Sequence, residues 1–203
     1  KDIMREAGLD PETDAPQNFE EFTEVSRQIV AELNQGDQLD VIAWDPWQMA
    51  GPPAVIYYAY GAGHPTVSTD GTESLYDTDG VVNVAQEFDN YVEEVYGDFG
   101  GYEALIDWYA RVAGVKTGGA QVEGFIQENQ VFYVSGSWTI GQVNSGAPDM
   151  DFGILPVPGL NRQHGSISKH GWAYAVSQNS DHAEAAYEFL KYITIETEGN
   201  GWF

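Results

Sequence analysis

The chain contains no cysteine. That absence removes disulfides, thiolate nucleophiles and cysteine-based zinc sites together, and leaves thiol usage silent about the compartment. Basic residues are scarce too: 8 lysines and arginines stand against 32 aspartates and glutamates, a net charge of −24. Such a field repels phosphate backbones and anionic headgroups, which argues against nucleic-acid and membrane-surface roles. It suits a salt-rich surrounding, where screening relieves self-repulsion. No apolar run approaches the length of a bilayer span, so direct membrane insertion of this segment is not expected. His64, His164, His170 and His182 show neither H-x-x-x-H spacing nor a companion cluster. No metal and no cofactor are expected from them.

What is present suffices for a packed fold. Apolar residues make up 42% of the 203 positions and aromatic residues 13%, which excludes a disordered chain and allows one sizeable core or two small lobes. Residues Asp2 to Ala7 read as a helix stopped by Gly8. Asn18 with Glu21 gives a capping-box start to a second helix, whose stripe is Phe19, Phe22, Val25, Ile29 and Leu33. Val55 to Tyr60 is apolar enough for a buried helix or strand, with Pro53 favouring a helix start. Asp70-Gly71 marks a tight hairpin. Asp77-Thr78-Asp79-Gly80 lacks calcium-loop spacing and reads as a turn into a helix. Helical faces follow at Val84, Phe88, Val92 and Val95, then at Leu105, Tyr109 and Val112, broken by Phe99-Gly100-Gly101.

After a glycine-rich connector over 114–124, Val131 to Val134, Phe152 to Leu155 and Trp172 to Val176 read as strands. Asp181 with Glu184 then caps a last helix with Ala186, Phe189, Leu190 and Ile193 on its core face. Alternating helices and strands predict an α/β class, a mixed sheet flanked by helices.

The segments QVFYVSGSW, 130–138, and KHGWAYAV, 169–176, each join a β-branched and aromatic strand to a glycine beside a tryptophan. A flat aromatic at a sheet's lip offers its face to the C–H side of a sugar ring. Trp138 is the first candidate on this ground, the competing reading being a core tryptophan. Asp45 and Trp47, in Asp45-Pro46-Trp47, are a second pair: the ring stacks while the carboxylate accepts hydroxyls. Trp44 serves the same loop as contact or as packing. Tyr57, Tyr58 and Tyr60 fit a core as well as a cleft. No nucleophile with a base and an orienting partner is recognisable, so the pattern points to binding and not to catalysis.

Several stretches in order resemble the carbohydrate-binding group of extracellular solute-binding proteins of ABC importers, the group that includes maltodextrin-binding protein. They are AGLDPE at 7–12 followed by PQNFEEF, Asp45-Pro46-Trp47, Gly136-Ser137-Trp138, DFGILPVPG at 151–159, and GWAYAV leading into HAEAAYEFLKYIT. Glu128 stands where the family usually has glycine, Phe132 where methionine is frequent, and His170 where a glycine pair begins. The resemblance implies a periplasmic-binding-protein-like (type II) lobe over residues 1–158, with 159–203 a crossover segment belonging with the other lobe. It further implies that about 110 or more residues of a first lobe precede Lys1, with a membrane anchor, and that a helical part follows Phe203. The expected ligand is a carbohydrate, and the expected partners are the transmembrane permease subunits, outside the cell or in the periplasm. Gly171 and Trp172 fall where the family's chain enters the cleft, joining Trp138, Trp47, Asp45 and Trp44 as expected ligand contacts. A glycoside hydrolase or a carbohydrate-binding adhesive domain is the alternative class.

Overall fold

The computed structural model describes residues 1–47, 53–113, 121–160 and 174–195. Contact density divides the chain into two compact units, Lys1–Ser168 and Lys169–Phe203. In chain order the helices are α1 (Asp2–Glu6), α2 (Phe19–Leu33), α3 (Pro53–Gly61), α4 (Asp79–Tyr96), α5 (Tyr102–Trp108), α6 (Gln121–Ile126), α7 (Trp138–Gly146) and α8 (Ala183–Thr194).

Local signals set the first elements. Glycine at position 8 takes φ +77° and ends the turn after α1. The Asn18 side chain accepts the Glu21 amide at 3.0 Å, and Glu21 returns its carboxylate to the Gln17 amide at 2.8 Å. Two otherwise unpaired groups at the start of α2 are thereby satisfied. The helix buries Phe19, Phe22, Ser26, Ile29 and Val30. It packs on α4, which also meets α3 and α5. Thr78 precedes α4, and Gly71, at φ +74°, turns a hairpin closed by the Val67–Ser74 bridge.

Aromatic rings fill the space between these helices. Trp44, 1% exposed, meets Tyr91 at 5.3 Å, Phe22 at 5.4 Å and Phe88 at 5.8 Å between centroids, each edge to face. Each such buried ring stabilises the fold by about 1.5–3 kcal/mol through burial, with a further contribution from edge-to-face geometry. Tyr58 joins this cluster from α3.

Among the described residues the expected mixed sheet does not form. Helix accounts for 51% and strand for 3%. Among the described residues, the bridges with both partners described are the parallel Ile42–Gln130 and the hairpin bridge Val67–Ser74. The reason lies in where the backbone of 39–44 spends its hydrogen bonds. Asn34 Oδ1 accepts the amides of Asp40 and Val41, and its amide nitrogen donates to the carbonyls of Val30 and Val41. Arg111 and Trp108 donate to the carbonyls of Leu39 and Asp40. The Tyr96 hydroxyl accepts the amides of Ala43 and Trp44 and donates to the Trp44 carbonyl. Side chains occupy groups a ladder would use, so pairing to 130–132 stops after Val131 N–H to Ile42 and Phe132 N–H to Ala43. Phe152–Leu155 forms no strand, and Ile154 is 74% exposed. Tyr174 to Val176 shows no strand, and the start of that expected strand lies outside the described residues.

Two helices were not foreseen. α6 falls partly in the glycine-rich connector, and Gly124 lets it approach Trp108: a Cβ there would meet the ring at 2.7 Å. α7 begins at Trp138, where the sequence pattern predicts a strand end. It buries Thr139 and Val143, too few positions for a periodic signal. Among the described residues no helix is long and apolar enough to cross a membrane.

Candidate ligand-binding site

Asp45-Pro46-Trp47 follows directly on the backbone that Asn34, Trp108, Arg111 and Tyr96 hold in place. Asp45 is buried, at 8% exposure, and its Oδ1 accepts the Trp47 amide at 2.9 Å. The carboxylate thus closes an Asx turn that orients the tryptophan. Burial pushes the Asp45 carboxyl above its ordinary range, opposed by the Trp47 amide bond and the neighbouring Tyr109 phenol. Tyr109 sits close enough for the two groups to shift each other, although its hydroxyl completes no hydrogen bond of normal geometry.

Trp47 is half-buried. Its ring stands at 89° to Phe88, with centroids 5.6 Å apart. Its indole N–H donates to the Tyr102 hydroxyl, and Tyr102 donates to Asp89 at 2.9 Å. Trp44 supports the same loop from beneath, sunk in the aromatic core.

Trp138 is 63% exposed at the first position of α7. Its ring folds back over Gly136, where a Cβ would lie 2.1 Å from it. Glycine is therefore required for this ring position. Thr139, buried behind it, donates to the Ser135 hydroxyl at 2.7 Å.

The parallel bridge relates the two tryptophans. Segments starting at Ile42 and Gln130 run the same way, so Asp45–Trp47 and Trp138 both follow the carboxyl end of the pair. Gly171 and Trp172 lie outside the described residues.

A separate cavity of about 440 Å³ is lined among others by Phe132, Val134, Gly136, Ile140, Phe152 and Ile154. Lys1 and Glu128 stand at its polar margin. The Lys1 amino group donates to the Asp151 carbonyl at 2.7 Å, and Arg5 pairs with the Asp151 carboxylate at 3.2 Å. Trp47, Asp45 and the Trp138 side chain do not line this space.

Sequence reasoning missed Tyr102, Asp89 and Tyr109 as neighbours of the candidate loop. Tyr109 was visible only as a helical apolar position, and Tyr102 gave no signal beyond following Gly100-Gly101. Glu128 is the informative departure: it adopts φ +61°, a left-handed conformation at the end of α6 that glycine takes without penalty.

Among the described residues no group of three or more histidines, aspartates or glutamates is arranged to hold a metal. A family model for bacterial extracellular solute-binding proteins matches residues 1–196. The chain belongs to that family. Its members are generally non-enzymatic, are extracellular or periplasmic, and take part in transport with an ABC transporter as partner. Comparison with curated proteins found no match, and comparison with solved structures found none either.

Proposed function

We propose that the protein captures a sugar or oligosaccharide in a cleft between two lobes and delivers it to the permease of an ABC importer. The observation that carries this reading is the common origin of Trp47 and Trp138. In chain order the two aromatics follow the two segments joined by the Ile42–Gln130 bridge; Trp138 is largely exposed, and a buried carboxylate fixes the turn of the half-buried Trp47. Trp138 and Trp47 would stack on pyranose faces. Asp45 acts chiefly on the protein in this reading, since one oxygen already holds the Trp47 amide and the buried carboxyl also neighbours the Tyr109 phenol. Trp44 braces the loop, and Gly171 and Trp172 belong to the site on the resemblance. Ligand that binds a closed form better than an open one would draw the hinge shut, and the permease would read the closed form.

The rival reading, a glycoside hydrolase, needs two carboxylates flanking one bond. Calorimetric titration of the full-length protein with maltotriose, cellotriose, xylotriose and mannotriose, followed by product analysis, separates the two. Saturable binding with the sugar recovered intact is expected. Release of reducing ends in proportion to protein concentration would contradict the binding reading.

A further inference from the structure

We propose that Tyr102, itself held by Asp89, is the positioning residue that locks the Trp47 indole as a stacking platform; this rests on the reading of Trp47 as a sugar contact. The hydrogen-bond polarity of the triad is fixed by chemistry. An indole N–H only donates, so the Tyr102 oxygen must accept it. A carboxylate only accepts, so the Tyr102 proton goes to Asp89.

The backbone N–H of Trp47 is also engaged, by Asp45 Oδ1. With both nitrogens occupied, Trp47 has no donor left for a ligand, and its side chain can meet one only through the ring. It therefore discriminates by apolar shape, the C–H face of a pyranose, and leaves hydroxyl reading to other groups.

Three elements converge to set this geometry. The loop after Ile42 brings Trp47, α4 brings Phe88 and Asp89 side by side, and the first residue of α5 is Tyr102. Phe88 meets the indole from α4 while Tyr102 holds its nitrogen edge. Gly100 at φ +107° and Gly101 at φ +63° make the turn that delivers Tyr102. Burial, with Asp89 adding to it, raises the Tyr102 pKa, which keeps the phenol protonated and able to donate.

The test uses the full-length protein with the tightest-binding of the four trisaccharides. Tyr102→Phe removes one oxygen and keeps the ring; Asp89→Asn keeps an acceptor; Trp47→Ala is the reference for the platform. Indole N–H resonances are recorded without sugar, Trp47 being assigned from the signal lost in Trp47→Phe. Tyr102→Phe should shift the Trp47 indole resonance alone and speed its hydrogen exchange. It should weaken the sugar by about 3- to 10-fold, the scale of one hydrogen bond. Asp89→Asn should do less in both measurements. An unmoved indole resonance in Tyr102→Phe would overturn the proposal. A moved resonance with unchanged affinity, while Trp47→Ala weakens binding, would overturn it and leave the site intact. Wild-type affinity in Trp47→Ala, or no binding of any of the four sugars, would remove the site reading and this inference with it.

Discussion

Helices α2 and α8 carry the same kind of amphipathic pattern and meet opposite fates. α2 buries five of its residues under the aromatic cluster. α8 buries none, and Tyr187 and Phe189 are each 61% exposed. Periodicity identifies a face; it says nothing about whether a partner covers that face. In α2 the cover is α4 with Trp44, and burial there outweighs the conformational entropy of ordering the rings.

Substitution makes this contrast quantitative, and the largest effect belongs to the covered face. Phe88→Ala removes a ring with no exposed surface and should cost about 3–5 kcal/mol in denaturant unfolding. Phe189→Ala in α8 should change stability by about 0.5 kcal/mol or less. Equal losses would mean that α8 is buried in solution. Next in size is Asn34, whose buried amide holds the backbone that replaces a sheet ladder. Asn34→Ala leaves those groups unpaired and should cost about 1–3 kcal/mol. A neutral result would show that the loop does not depend on that amide.

Two smaller effects sharpen the account of strain and charge. Glu128→Gly relieves a left-handed residue and should raise stability by about 1 kcal/mol. Asp45 supplies the pH test. Its folded carboxyl is raised by burial, so the native state holds a proton that the unfolded chain has released. Its contribution is intact at low pH and is lost as pH rises from the ordinary aspartate value through the raised one. Asp45→Asn should flatten that fall in an unfolding series across acidic to neutral pH; an unchanged slope would show that Asp45 is not the group responsible.

The sequence made the helical half of the molecule legible and misjudged the extended half, for a physical reason. Asn18, Gly8, Pro53 and the Phe19–Leu33 stripe act within a few residues of themselves, and the structure follows them closely. The buried strands expected at 131–134 and 152–155 do not form, because a sheet requires partners far along the chain. Tyr96 and Asn34 had taken the backbone groups on one side, which no local pattern reveals. The candidate site divides the same way. Asp45-Pro46-Trp47 and Gly136-Ser137-Trp138 stand out as strings, whereas the hold of Tyr102 on Trp47 spans 55 residues.

Sugar affinity of paired variants tests the central claim most directly. In the full-length protein, titration with the tightest-binding trisaccharide should show Trp47→Ala and Trp138→Ala each weakening binding by about 1–3 kcal/mol, with melting behaviour close to wild type for the exposed Trp138→Ala. Wild-type affinity in both variants would contradict the account, showing that the two rings do not contact ligand.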